Sequence, residues 1–119
     1  PEAIDKLTIK IDGEQQHMIE GTVHADGRPR ITCIDGRGFD IVPSGHMIAL
    51  FNDDRPGMVG KVGTALGESK VNIDEMVIGH GDKDGLAMMV IKLGAPATSD
   101  LLASLAAIDG ISKVASAEI

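Results

Sequence analysis

The polar stretch from Asn52 to Gly60 holds the side chains best placed for chemistry in this sequence. It follows an apolar run, His46–Phe51, and precedes apolar residues at helical spacing, Val59, Val62 and Leu66. A strand should therefore enter a tight turn that opens a helix, whose free N–H groups and macrodipole favour anions. Two carboxylates and an amide stand beside those donors. The stretch could hold a zwitterion, with its carboxylate on the N–H groups and its ammonium on Asp or Asn oxygens.

Length and composition bound the possible functions. The chain has 119 residues, enough for one ordinary domain or two very small ones. A net charge of −7 and only two aromatic residues, both Phe, argue against nucleic acid as a partner. The single Cys33 cannot form an internal disulfide, and no apolar run is long enough to cross a bilayer. We therefore expect a cytoplasmic setting without membrane contact. The start at Pro1 suggests a fragment of a longer protein.

Residues 1–44 alternate apolar and polar side chains with the two-residue period of strands. The predicted strands are Leu7–Ile11, Ile19–Val23, Arg30–Ile34 and Phe39–Val42. Turns are predicted at Gly13-Glu14 and at Ala25–Arg28, where an Asp-Gly pair favours a hairpin. Pro43-Ser44-Gly45 breaks the pattern and is the predicted linker, which gives a β-rich unit at 1–44 and a second unit at 45–119.

The second unit shows the order of strand and helix patterns that is typical of an α+β fold. We predict a strand at His46–Phe51, a helix from about Pro56 to Leu66 that stops at Gly67, strands at Asn72–Gly79 and Leu86–Leu93, a helix from Thr98 to Asp109-Gly110, and a strand at Ile111–Ile119. This order is the ferredoxin-like βαββαβ arrangement, in which one sheet face stays uncovered and favours a homo-oligomer. Gly60 and Gly63 lie inside the first helix, which predicts close approach to a sheet or to another helix.

These elements, the turn Asn52–Gly57 and the later Val71-Asn72-Ile73 together resemble an ACT domain, a regulatory module that senses amino acids. The longer pattern, with Gly45-His46-Met47 and Asp54–Gly60, is similar to the C-terminal end of the D-3-phosphoglycerate dehydrogenase family, oxidoreductases of L-serine biosynthesis. The first unit resembles the end of the intervening, allosteric substrate-binding domain of the long form of that family, at Gly21-Thr22-Val23, Pro29-Arg30-Ile31 and Gly38-Phe39-Asp40.

The resemblance implies an allosteric effector site that binds L-serine or a similar small amino acid across a homodimer interface. The implied ligand-binding residues are Asn52, Asp54, Arg55, Pro56, Gly57, Met58, Val59 and, from the partner subunit, Asn72. It implies NAD for the parent enzyme but no cofactor, catalytic residue or metal in this chain. No G-x-G-x-x-G turn follows a strand here, so we expect the regulatory end without the enzyme.

Other interpretations stay open for these residues. Turn chemistry alone would make Asp54 a helix cap and the two asparagines strand-end residues. A salt bridge is at least as good an interpretation for Arg55 as an anion contact. His80, Asp82 and Asp84 fit a polar loop better than a metal site. The alternative functions are a ligand-free structural oligomerisation module and the regulatory tail of a serine dehydratase β subunit.

Overall fold

The chain divides into two compact units, Pro1–Pro43 and Ser44–Ile119, each with its own four-stranded sheet. The structure is a computed structural model that describes residues 4–11, 15–23, 27–34, 36–80 and 85–118. The predicted turns at residues 13–14 and 25–26 lie outside the described residues. The boundary falls in the segment predicted as a linker, where Gly45 adopts a φ of +75°.

The first unit is an antiparallel meander. Its strands are β1 (Ile4–Ile11), β2 (Gln15–Val23), β3 (Pro29–Ile34) and β4 (Arg37–Ile41), paired in sequence order. In β4, buried residues alternate with exposed ones, because successive side chains point to opposite faces of a strand. Arg30 donates from its Nε to the Asp40 carboxylate, a pair that joins β3 to β4.

The second unit has the ferredoxin-like βαββαβ fold predicted from the sequence. Its elements are β5 (His46–Asp53), α1 (Met58–Glu68), β6 (Ile73–His80), β7 (Leu86–Leu93), α2 (Ser99–Ala106) and β8 (Ile111–Glu118). The sheet order is β6-β7-β5-β8, with every pairing antiparallel, so β6 and β8 are the edge strands.

The core of the second unit lies between one sheet face and the two helices. It contains Ile48 and Leu50 from β5, Met89 and Ile91 from β7, and helix residues such as Val62. Alternate residues of each strand thus face the helices, and residues paired across strands share a face. This pattern fixes which side chains of the strand ends lie on the helical side of the sheet.

The limits of α1 differ from the sequence prediction. The helix starts at Met58 rather than Pro56, because Gly57 before it is left-handed with a φ of +92° and cannot be helical. It runs through Gly67, the predicted stop, and ends in a Schellman motif around Lys70, whose φ is +58°. There Lys70 N–H donates to Gly67 O at 3.0 Å and Val71 N–H donates to Leu66 O at 3.0 Å.

The second helix starts where the sequence predicts. Thr98 is its N-cap, and Thr98 Oγ1 accepts a hydrogen bond from Leu101 N–H at 3.1 Å. The helix ends at Ala106, before the predicted stop at Asp109-Gly110, because Ile108 N–H donates to Leu105 O, three residues back, and tightens the chain. Neither helix in the described part of the chain is long and apolar enough to span a membrane.

Candidate effector site

The turn between β5 and α1 is held by backbone hydrogen bonds to two other loops. Asp53 N–H donates to Gly110 O at 2.8 Å, and Asp54 N–H donates to Gly85 O at 2.9 Å. Arg55 N–H donates to Asp53 O at 2.9 Å within the turn itself. The predicted site residues from Asn52 to Gly57 therefore lie at a braced turn at one end of the sheet.

The start of α1 presents backbone donors, as the sequence predicts. No side chain caps this helix, and its first turn carries no acidic residue. The bond from Lys61 N–H to Gly57 O, at 3.1 Å, closes the first helical turn, so the N–H groups of Met58, Val59 and Gly60 precede it. Asp54 does not cap the helix, because the left-handed Gly57 is the N-cap. These N–H groups and the macrodipole suit a carboxylate.

Asn52 has the most informative side chain of the turn. It is 3% exposed at the end of β5, and its Nδ2 donates to Asp53 O at 2.8 Å. Its Oδ1 is buried and has no hydrogen-bond partner within the described part of the chain. A buried amide oxygen without a donor costs about 1–3 kcal/mol, so the fold carries an acceptor that a donor from a ligand could satisfy.

Asp54 is bonded to His80, a residue that the sequence predicts in a polar loop. Its Oδ2 lies 3.0 Å from His80 Nδ1, with the Asp54 side chain 40% exposed and the His80 side chain 65% exposed. His80 is the last residue of β6, not part of the loop after it. The registers of β6 against β7 and of β7 against β5 together place it beside the turn, and no local pattern in the sequence indicates this.

Arg55 points to the turn between α2 and β8. Its Nη2 lies 3.2 Å from Asp109 Oδ2, and its Nε lies 3.5 Å from Asp53 Oδ2. Gly110 has a φ of +99°, and a Cβ there would lie 2.8 Å from the Arg55 guanidinium and 2.9 Å from the Met58 methyl. The Arg55 guanidinium thus braces the turn through a salt bridge, the interpretation weighed against anion binding.

Asn72 lies at the other end of the sheet. It precedes β6, is exposed, and its backbone oxygen accepts from Gly94 N–H at 3.0 Å. The β6 start pairs with Leu93 and the β6 end pairs with Ala87, so about 20 Å of strand separates Asn72 from the turn. Asn72 cannot therefore reach the turn of its own chain.

A shallow groove between α1 and α2 is a second candidate surface. It is lined by Lys61, Thr64 and Glu68 on α1 and by Ser104 and Ile108 on the other side. It contains neither Asn52 nor Asp54, and none of its lining side chains is a buried polar group without a partner. We therefore place the candidate site at the turn rather than in the groove.

Metal binding has no support in the described residues. They contain no group of three or more His, Cys, Asp or Glu side chains that could hold an ion. Asp82 and Asp84, which were weighed with His80, lie outside the described residues. The nitrogen of His80 that faces Asp54 takes part in a side-chain pair instead.

Sequence comparisons agree with the fold and cover both units. The family described as ACT domain matches residues 46–110. D-3-phosphoglycerate dehydrogenases of Archaeoglobus fulgidus and of Synechocystis are each 32% identical to this chain, over 92% and 88% of its length. D-3-phosphoglycerate dehydrogenase 2, chloroplastic, of Arabidopsis thaliana is 40% identical over 61% of the chain.

The chain matches only part of the length of each relative. The chain spans 21% of the Archaeoglobus relative, 19% of the Synechocystis relative and 12% of the Arabidopsis relative. It is thus homologous to about a fifth of the first two relatives, whereas the ACT match covers most of the second unit. The chain belongs to the ACT domain family.

Proposed function

We propose that this chain is the effector-binding and dimerising regulatory region of a D-3-phosphoglycerate dehydrogenase, and that its effector is L-serine. The observation that carries the proposal is the unsatisfied, buried Asn52 Oδ1 beside the uncapped start of α1. The regulated enzyme would be a D-3-phosphoglycerate dehydrogenase, because relatives of this chain carry that name. We assign NAD binding and catalysis to the rest of that enzyme, because this chain spans about a fifth of such relatives and has no G-x-G-x-x-G turn.

The turn offers complementary groups for each end of an amino acid. The effector carboxylate accepts from the N–H groups of Gly57, Met58 and Val59, at the positive end of the helix. The effector ammonium donates to Asp54, a charge-assisted bond, and to Asn52 Oδ1. Pro56 shapes the turn, and Arg55 braces it through Asp109.

The same proposal requires a second copy of the chain. Met58, Val62 and Leu66 of α1 are buried, whereas Lys61, Thr64 and Glu68 line the groove beside α2. The remaining flank of the helix, which lies on the β6 side, consists of Val59, Gly63 and Gly67 at i, i+4, i+8 spacing.

This α1 flank and the β6 edge form one surface suited to dimerisation. A Cβ at Gly60 or Gly63 would meet nothing within 4 Å in the described part of the chain, so the close approach predicted from these two glycines is not made there. The same holds for a Cβ at Gly67. Val59 is 46% exposed and Ile73 is 38% exposed on the same side of the unit. The glycine flank leaves room for the α1 helix of a second copy.

Antiparallel pairing of two β6 edges would also complete the effector site. β6 is hydrogen-bonded on one side only, to β7. A two-fold axis through the β6 edge would bring the Asn72 end of the partner beside the His80 end of this chain. Asn72 of the partner subunit would then reach the turn that its own chain cannot reach, and its amide can both donate and accept.

Titration calorimetry with L-serine tests the proposal. Wild-type protein should bind, and Asp54→Ala should weaken binding by about tenfold to a hundredfold, the loss of roughly 1.5–3 kcal/mol for a hydrogen bond to a charged group. Asn72→Ala should weaken binding without unfolding the protein, because Asn72 is exposed. Glu68→Ala is the matched control, since it removes a carboxylate from the groove between the helices.

Three other outcomes of these experiments would contradict the proposal. A loss of binding in Glu68→Ala alone would move the effector to the groove between α1 and α2. Absence of heat with L-serine and with other small amino acids at millimolar concentration would favour the structural oligomerisation module. A clean monomer in sedimentation at micromolar concentration, with or without L-serine, would contradict the shared site.

A further inference from the structure

The end of the sheet beside the turn carries an ordered row of side chains. Asn52 of β5 pairs with Ala87 of β7, and Ala87 pairs in turn with His80 of β6. Residues paired across strands share a face, and the positions two residues before, such as Leu50 and Ile78, pack into the core under the helices. The row therefore lies on the helical side of the sheet, at the level of the start of α1.

The residue in the middle of this row has a small side chain. Ala87 is 1% exposed, so only a methyl group stands between the two polar side chains. Neighbouring strands are about 4.8 Å apart, which puts the backbones of Asn52 and His80 roughly 10 Å from each other. Asp54, two residues after Asn52, is bonded to His80 through Oδ2 only within the described part of the chain, so Oδ1 keeps its acceptor capacity.

We propose that His80 is a positioning residue of the effector site, which holds Asp54 in place for the ammonium group of a small amino acid. The inference rests on the proposed function. His80 Nδ1 fixes one carboxylate oxygen of Asp54 at 3.0 Å and leaves the other oxygen able to accept from the ammonium group. Without His80 the half-exposed Asp54 side chain would take other rotamers, and ordering it would cost the effector binding energy.

The effect of His80 on the effector should pass through Asp54. Among the described residues, Asp54 is the charged group bonded to His80; the adjacent Asp53 and Arg55 pair with each other, and Ala87 carries no charge.

Calorimetry on three variants, each compared with the wild type, tests the role of His80. His80→Ala should weaken L-serine binding by roughly three- to tenfold, the loss of a hydrogen bond that orders a partner. His80→Asn places an amide donor near the position of Nδ1, so it should restore most of the affinity. Lys113→Ala, at an exposed position on the far edge strand β8, is the control and should bind as the wild type does.

A double-mutant cycle adds a readout that a purely structural role would not give. In the Asp54→Ala background, His80→Ala should cause no further loss of L-serine affinity, because the carboxylate that it orients is absent. Normal affinity in both His80 variants, or an undiminished loss from His80→Ala in the Asp54→Ala background, would overturn this inference and leave the effector site standing. Absence of L-serine binding by the wild type would overturn both.

Discussion

Asn52→Leu should separate the stability of the fold from its ligand binding. The substitution keeps the number and branching of the side-chain heavy atoms and removes the buried Oδ1, whose lack of a donor costs about 1–3 kcal/mol. It also removes the bond from Asn52 Nδ2 to Asp53 O, which contributes about 0.5–1.5 kcal/mol. Asp53 O keeps a donor, because Arg55 N–H lies 2.9 Å away. The free energy of unfolding should therefore change by between about −0.5 and +2.5 kcal/mol.

The affinity for L-serine should fall in the same variant, although the stability of the fold is nearly kept or raised. Asn52→Leu removes an acceptor for the effector ammonium and should weaken L-serine binding at least tenfold, or about 1.4 kcal/mol. Stability is measured by urea unfolding at one fixed protein concentration, since a dimer makes stability depend on concentration. Lys113→Leu, an apolar substitution at an exposed position on the far edge strand β8, is the control and should shift stability by no more than about 0.5 kcal/mol.

Two results would refute the reasoning about Asn52. A loss of more than about 1 kcal/mol in Asn52→Leu would mean that Oδ1 has a donor in the folded protein without ligand. Unchanged L-serine affinity in the same variant would mean that the oxygen faces away from the effector. Either result leaves the fold assignment intact, because the core residues around the strand are not altered.

Two further substitutions test the helix α1. Lys70→Gly should raise the free energy of unfolding by up to about 1 kcal/mol, because Lys70 has a φ of +58° that glycine adopts without strain. Urea unfolding measures this, and an unchanged or lower free energy of unfolding would contradict it. Gly63→Ala should raise helix stability by about 1 kcal/mol, since the added methyl group meets nothing within the chain, yet it should weaken dimerisation. Sedimentation equilibrium checks the second part, and an unchanged dimer would place the interface elsewhere.

The fold was accessible from the sequence because its signals are local. The alternation in β4, the apolar run of β5 and the Thr98 cap each depend on residues a few positions apart. The limits of α1 were not accessible, since a left-handed Gly57 excludes Pro56 from the helix and a left-handed Lys70 ends it. Lysine carries no sequence signal for that conformation, so the stop was assigned to Gly67 instead.

The candidate site could be predicted only in part, because some of its features depend on residues far apart in the sequence. Asn52 and Asp54 are visible in one stretch, together with the helix start that follows them. The pair between Asp54 and His80 spans 26 residues and depends on the registers of two strand pairs. The unsatisfied state of Asn52 Oδ1 depends on burial by several elements, which no spacing within the turn encodes.

The proposed arrangement explains how a small ligand could control a large enzyme. An effector held by the turn of one subunit and by Asn72 of the partner subunit binds the assembled dimer and not the separate chains. Effector binding and association are then linked, and each must strengthen the other by the same factor. A tenfold effect corresponds to about 1.4 kcal/mol, within reach of one or two charge-assisted hydrogen bonds. Gly63→Ala, which weakens association from a position outside the turn, should therefore also lower L-serine affinity at low protein concentration and lose that effect as the concentration rises.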